Sequence, residues 1–489
     1  MKGTAICTEV REASLLPGPS LLTYSFSMKE PMDWISLVIT YEKLDWIQIF
    51  VKDPDGFIRM QYTGKKRAER ILLGRLQENC SIGSVPGDVG AGTWKADVIA
   101  YARDEDSMFK LEWMHGKDVS AESSTVPIAI GTPWVTLDGD DRYKQERPNC
   151  GARWYKGDFH MHTSLSDGKQ SPEQLMESSL RQQLNFIVVT EHNHRHTTWP
   201  SHDRLLALPG MEVTAFQGHW NVLGITDWLP LYDEDGTLTM EDAEGMNRII
   251  AAAREQGAVC SLNHPYLAPW DWRFGRTELS LFHAIEIWND PTYEGNAEAA
   301  ERALMLWDAC WARGLRLAGI GGSDTHLLPH ESYMEGGPPS MAGDPATYVY
   351  CDELSEVQLL DAVKKGRCIV TRGPQLEPCI YSGGRQILPG DQVSMDAQAA
   401  VPIRYSIAIK GIKEKGKLIW LLNGLPVFEA IVNEDGPYVY ETEWTGEAYR
   451  WLRVEHRSEY GTLLAFINPI YANPIGCASL TWEEVNAEL

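Results

Sequence analysis

Six times between positions 158 and 326 an apolar run of strand length gives way to a histidine, aspartate or glutamate, and this recurrence constrains the chain more than any other feature. Helical patterns separate the runs. Ser171 and Pro172 form an N-cap and first-turn pair before EQLMESSLRQQL, and the apolar run FIVVT follows at 186–190. Thr239 opens MEDAEGMNRIIAAAREQ, Gly257 closes it, and AVCSL comes next at 258–262. AIEIW at 284–288 precedes a helix over 297–312, RLAGIGG precedes Ser323, and a helix over 355–365 leads into RCIVTRGP at 367–374. Strand and helix alternating in this way predict a parallel α/β architecture, whose sites are built where strands end.

The residues at those ends are metal-ligand types. His160 and His162, two apart on a strand, leave the same face, and Asp167 follows at the turn Ser166-Asp167-Gly168. Glu191 and His192 end FIVVT, and Glu212 lies in GMEVT with His219 just beyond it. His264 sits in NHP after AVCSL, and Asp324 and His326 lie in SDTH. Eleven of the thirteen histidines fall between 160 and 330, so the clustering itself needs a cause. Taken singly, each residue reads as well as a solvated carboxylate, a core histidine or an N-capping aspartate. Taken together, six strand ends presenting such residues on one rim point to a metal site. None of the nine cysteines falls in these motifs, and imidazole with carboxylate suits Mn, Fe or Zn. Two ions sharing a carboxylate can activate a bridging water and polarise an electrophile, which is metal-assisted hydrolysis. No GxSxG elbow or Walker-type loop offers a rival chemistry.

At 489 residues, a prior of about 150 per domain suggests roughly three domains. Residues 1–150 read as an N-terminal β-sandwich-like domain with a polar linker over 133–153. Residues 151–375 form the α/β segment, and 376–489 a C-terminal β-sandwich-like domain with strands such as IRYSIAIKG and YRWLRVEHR. A formal charge of −24 repels phosphate backbones and anionic headgroups, so neither nucleic acid nor a membrane surface is an expected partner. No apolar run is long enough to span a bilayer, and Glu9, Arg11 and Glu12 interrupt the core a signal peptide needs, so a cytoplasmic location is expected.

HMHTSLSDG, TEHN, the GMEVT to GHWNVLG stretch, SLNHP and GSDTH resemble, in order and spacing, the motifs of the PHP (polymerase and histidinol phosphatase) metal-dependent hydrolases. The flanking β segments, GRCIVTRGP and INPIY are similar to the carbaryl-hydrolase-like (CehA/McbA) branch. The resemblance implies a distorted (β/α)7 barrel with two or three divalent ions. It implies that His160, His162, Glu212 and Asp324 hold one ion, that Glu212 bridges to a second held by His219 and His264, and that Asp167, His192 and His326 hold a third. One position departs from the family: Glu191 stands where Asp usually precedes the histidine, adding one methylene of reach.

For a substrate, the resemblance implies a small organic phosphoester or, from the closer branch, a carbamate or carboxylic ester. Cationic candidates to clamp it are Lys169, Arg195, Arg273, Arg276 and Arg372, of which Arg195 and Arg372 adjoin motif residues. His194 and His196 are candidate proton donors to the leaving group. Trp199, Trp220, Tyr266, Trp270, Trp272 and Trp288 lie in or beside the motif loops, and a pocket lined by some of them would suit an aryl or nucleoside group, while packing accounts for at least half. The flanking β domains are expected to pack on the barrel, shaping its mouth or a homo-oligomer interface. A different class stays open: a binding protein whose sandwiches recognise a sugar or polymer, which would have no need of metal.

Overall fold

The computed structural model describes residues 5–64, 68–117, 134–136, 151–233, 235–396, 399–477 and 479–489; most of the expected linker lies outside them. In the N-terminal part, strands Ala5–Ser14, Trp34–Glu42, Ala68–Gly74 and Met108–Gly116 form one antiparallel sheet. Gly18–Met28, Leu44–Lys52, Ile58–Gly64 and Gly92–Ala102 form a second. Alternation decides the packing: Ile35, Leu37 and Ile39 from one sheet and Ile47, Ile49 and Val51 from the other are all buried in one shared core.

The middle segment is a mixed sheet. Arg153–Asp158, Phe186–Val189 and Leu206–Ala215 run parallel; Leu206–Ala215, Gly218–Leu223 and Val259–Leu262 are antiparallel neighbours; Val259–Leu262, Ala284–Asn289 and Ala318–Gly322 are parallel again. The first and last of these meet beyond their ends. Met161 bridges Thr325 in parallel, and the Asp324 N–H donates to the His160 carbonyl at 2.8 Å. The ends of the series are thereby drawn together, which brings ligand-type residues far apart in sequence to one place.

Among the described residues strand predominates over helix, and the expected regular alternation of the two is not found. Among the described residues, α-helices intervene at Pro172–Arg181, Ala243–Glu255, Asn296–Ala312 and Glu356–Lys364, but none lies within 190–205 or 263–283. In 263–283 the side chains Trp272, Phe274 and Leu279 are buried in the core without an α-helix. Ser171 caps the first helix through a capping box with Gln174, as expected. The second helix starts later than expected: Thr239 lies in a 3-10 turn, and Asp242 is the cap, accepting from the Gly245 N–H.

The C-terminal strands continue the same sheet without a break in hydrogen bonding. Ala346–Cys351 joins Arg153–Asp158 to Cys368–Thr371, which pairs with Leu463–Ala472, followed by Arg450–Ser458, Gly416–Leu422 and Leu425–Val432, so among the described residues the sheet counts thirteen strands. A four-stranded sheet of Arg385–Ile387, Gln375–Ser382, Val401–Lys410 and Gly436–Trp444 packs on it through Tyr405, Ile407, Trp420 and Ile467. Among the described residues no helix is long and apolar enough to cross a membrane.

Candidate metal centre

All nine ligand candidates converge. Four overlapping groups have donor atoms within 4.8 Å of one another: His162, Asp167, His192 and His326; His160, His162 and Asp324; His160, Glu212 and His264; His192, Glu212 and His219. Glu212, from strand Leu206–Ala215, lies at the centre. Its carboxylate is 3.3 Å from His160 Nε2, 3.3 Å from His219 Nδ1, 3.3 Å from His264 Nε2 and 2.8 Å from His192 Nδ1. Asp324 Oδ1 lies 3.3 Å from His160 Nε2 and 3.1 Å from His162 Nε2, while Asp167 Oδ1 lies 3.2 Å from His192 Nε2 and 3.1 Å from His326 Nε2. Side-chain exposure rises from 0% at His160 and His162 and 1% at Glu212 to 16% at Asp324 and 25% at His326. The cluster therefore has a dry floor and one open side.

Local backbone geometry serves this convergence. His264 and Asp324 adopt left-handed φ of 25° and 47°, a conformation that costs non-glycine residues energy and is retained where surrounding structure enforces it. Gly168 is required at the Ser-Asp-Gly turn, since a Cβ there would lie 2.6 Å from the His162 carbonyl oxygen. The ring orientations are set from behind. His160 Nδ1 lies 2.9 Å from Glu286 Oε1, and His326 Nδ1 is 2.8 Å from the Asp324 carbonyl, which leaves each Nε2 facing the cluster. Asn263 donates to Glu212 at 3.0 Å and Asn289 to Asp324 at 3.0 Å.

The donor set fits divalent cations. His160 Nε2 and both ring nitrogens of His162 are buried without a hydrogen bond, an arrangement costly unless something charged completes it. Burial alone would raise the Glu212 carboxyl, but His160, His219 and His192 hold it well below its ordinary range. Burial pushes His162 down to about 4, helped by His326 and His192. His192 goes the other way, up to about 10, because Asp167 and Glu212 outweigh its burial. Ionised carboxylates beside imidazoles form a ligand set, and the protons the raised imidazoles hold are those a cation displaces.

Glu191 does not reach a ligand. Fully buried, it accepts from the Thr163 N–H at 2.9 Å, from the Thr163 and Ser166 hydroxyls, and lies 3.1 Å from His196 Nε2. Its longer side chain thus ties the loop before Asp167 to the one after His192, and His196 is occupied there.

Three expected substrate residues are elsewhere. Arg195 is buried, with its guanidinium over Trp228 and donating to the Thr226 carbonyl. Arg372 makes a two-pronged pair with Asp344, both contacts at 3.2 Å. His194 faces a separate cavity with Gln61, Thr63 and Ser164, and burial pushes it down to about 3. Arg195 and Arg372 were expected at the site because they adjoin motifs in sequence, yet Thr226 and Asp344, 31 and 28 residues away, hold their guanidinium groups elsewhere. Of the other cations, Lys169 pairs with Glu331 and Arg276 with Glu244.

The cluster opens into a cavity of about 530 Å³ with a largely apolar and aromatic wall. Trp270, Tyr293 and Tyr333 lie on one side of it, with Phe216 and Arg273 also lining it. Asp45, Trp46 and Tyr101 come from the N-terminal sandwich, and the Trp46 ring meets His192 edge-on at 5.2 Å. Trp199, Trp220, Trp272 and Trp288 are buried, which assigns four of the six candidate aromatics to packing. The sequence reading missed Glu286, Asn263, Asn289 and Asp158. Asp158 is buried and accepts from the N–H groups of His160, Ser323 and Gly343, fastening two strand ends, and burial lifts its carboxyl to about 6. The available signal was a carboxylate inside an apolar strand, as in AIEIW.

A buried His, Asp and Glu cluster at the edge of a mixed sheet defines a candidate metal site. No protein-family model and no curated protein sequence matches the chain. Solved structures do. A two-domain protein from Bacteroides vulgatus, described as containing a "predicted PHP-like metal-dependent phosphoesterase", aligns over 66% of this chain and 97% of its own, at 20% identity and a TM-score of 0.36. A protein from Bifidobacterium adolescentis, described as a candidate metal-dependent phosphoesterase, aligns over 38% of this chain and 92% of its own, at 16% identity and a TM-score of 0.24. At such scores the overlap carries no assignment, and what the site can do rests on its own geometry.

Proposed function

We propose that the protein is a metal-dependent hydrolase, and specifically a phosphoesterase acting on a small organic phosphoester with an aryl or nucleoside portion. The observation that carries this is the convergence of all nine ligand candidates on one buried cluster that opens into an aromatic-walled cavity. His160, His162, Glu212 and Asp324 would hold one ion, Glu212, His219 and His264 a second, and Asp167, His192 and His326 a third. Such ions supply Lewis-acid polarisation of the ester and lower the pKa of the attacking water. The chain's own residues set the geometry: Glu286 orients His160, Asn263 and Asn289 fix the two central carboxylates, and Glu191 braces the Asp167 loop. The aromatic wall excludes water from the organic portion.

The apolar wall equally favours a second reading, hydrolysis of a carbamate or carboxylic ester at the same centre. Membership in the PHP family and its carbaryl-hydrolase-like branch, a distorted (β/α)7 barrel, the division at 150 and 375, and cytoplasmic residence belong to the same proposal. The test is elemental analysis of the purified protein together with hydrolysis of aryl phosphates, phosphodiesters, esters and carbamates, with His160→Ala and Asp324→Ala as controls. Two or three bound ions, and activity lost in both variants, are expected, and the preferred leaving group decides between phosphoester and carbamate. Absence of bound metal after supplementation with Mn, Fe or Zn would remove the hydrolase and leave the binding-protein class.

A further inference from the structure

Among the described residues, Arg273 is the sole lysine or arginine lining the cavity, and it has no carboxylate partner there. Its guanidinium instead donates to the carbonyl oxygens of Phe216 at 2.5 Å and Pro269 at 3.5 Å, neutral acceptors that position the charge without cancelling it. An uncancelled cation is conspicuous on a chain of charge −24, where the neighbouring surface cations Lys169 and Arg276 both have acidic partners.

The segment bearing Arg273 is rigidly held. Trp272 and Phe274 on either side are buried, at 2% and 1% exposure, and the Arg273 N–H donates to the Gln217 carbonyl at 2.7 Å. The C-terminal tail clamps the same loop, with the Glu483 N–H on Gly275 O at 2.9 Å and the Trp482 N–H on Thr277 O at 2.9 Å. The guanidinium is thus presented from a fixed backbone, which lowers the ordering cost of binding.

Around it the mouth is aromatic. Phe216, Trp270 and Tyr333 are 70%, 39% and 37% exposed, large apolar surfaces that a folded chain normally covers. Trp270 meets Tyr293 edge-on at 5.7 Å, and Tyr293 meets Tyr333 at 5.1 Å, forming a continuous aromatic side. The Arg273 contacts, to Phe216, Gln217 and Pro269, lie outside the metal cluster, and its side chain is exposed at the cavity rim while Glu212 at the centre of the cluster is 1% exposed, so the two differ in depth.

We propose that Arg273 binds a second anionic group on the substrate's aromatic portion, so that the compound hydrolysed is an ester of an aromatic alcohol that carries its own carboxylate or equivalent anion. This rests on the hydrolase reading for its chemistry, but the binding half can be tested without turnover.

Two matched pairs serve: phenyl phosphate with 4-carboxyphenyl phosphate as substrates, and phenol with 4-hydroxybenzoate as binding probes read by quenching of tryptophan fluorescence. A charge-assisted, two-donor contact at an exposed site is expected to make 4-hydroxybenzoate bind about threefold to fivefold tighter than phenol. Arg273→Gln should collapse that ratio toward one, Arg273→Lys should restore part of it, and Arg276→Gln, outside the cavity, should keep it. Equal affinities in the wild type, or a ratio that survives Arg273→Gln, would overturn the proposal. Hydrolysis of both phosphates with no preference overturns it too, while leaving the hydrolase intact. Tight, Arg273-dependent binding with no hydrolysis of either phosphate by the metal-loaded protein upholds the anion site and removes the phosphoester reading.

Discussion

Glu286 gives the sharpest test of the centre, because both of its oxygens are committed. Oε1 lies 2.9 Å from His160 Nδ1 and Oε2 accepts the His264 backbone N–H at 3.2 Å, with the side chain 2% exposed. A carboxylate can accept from both donors; a glutamine cannot. In Glu286→Gln the amide oxygen satisfies one donor and the NH2 group faces the other, whichever way the amide is turned. The loss is one hydrogen bond to a charged group, worth about 1.5–3 kcal/mol, with a donor left buried. Because that bond orients His160, the loss should appear as about 10–100-fold weaker metal binding, as for other partners of metal-ligating histidines. The assay is titration of chelator-stripped protein with buffered free Mn or Zn, with circular dichroism to verify the fold. A folded Glu286→Gln protein that binds metal within about threefold of wild type would refute the reasoning, since the geometry leaves no way to keep both bonds.

Other outcomes follow from the same structure. Chelation should lower Tm by several degrees, since a ligand bound at about 1,000 times its Kd contributes about 4 kcal/mol, and the chelator should leave the Tm of Asp324→Ala nearly unchanged. His456 is buried without a hydrogen bond, and burial pushes it from 6.5 down to about 4. Its neutral form is favoured in the fold, so its contribution to stability is full above pH 6.5 and falls as pH drops toward 4, by roughly 3 kcal/mol; urea midpoints at neutral and acid pH should show this, and His456→Leu should remove that share while leaving that of other depressed imidazoles such as His194. Arg453 is buried and grips Asp308 with two 2.7 Å contacts and Glu455 at 2.5 Å, joining a C-terminal strand to helix Asn296–Ala312. Arg453→Met strands Asp308, while Glu455 keeps its 2.5 Å contact with Arg457, and should cost about 3 kcal/mol in denaturant unfolding. Trp270→Ala should weaken phenol and 4-hydroxybenzoate alike by removing aromatic contact area, with binding constants as the readout.

The convergent ligand set was largely legible because most of its members sit at or just beyond the ends of apolar runs; Asp167 at a turn, Glu212 inside Leu206–Ala215 and His219 near the start of Gly218–Leu223 were found by their neighbourhood in sequence. A buried strand announces itself locally as four or five apolar residues, as in FIVVT or AVCSL, and the residue that follows must lie at the sheet's edge. Helix caps such as Ser171 were legible for the same reason, since capping is settled within four residues. Thr239 was misread because two acceptable caps lie three residues apart and packing chose Asp242. The stretches 190–205 and 263–283 hold no α-helix among the described residues, and aromatic side chains such as Trp199 and Trp272 are buried there without helical spacing.

Direction was not legible. Arg195 and Arg273 look alike in sequence, but the Arg195 backbone is held on both sides by Gln61, 134 residues away, whereas Arg273 is held by the carbonyls of Phe216 and Pro269 at the cavity edge. The same holds for Trp46 and Tyr101, which belong to a separate sandwich and reach the cavity through packing between sheets. The chain's own sequence determined which residue types stand at the strand ends, because that depends on local hydrophobic runs and turns. Tertiary structure alone decided which cations face the cavity, which carboxylates brace the imidazoles and which aromatics wall the cavity, because those choices are made by contacts between segments that lie apart in sequence, by 57 residues for Arg273 and Phe216 and by 126 for His160 and Glu286.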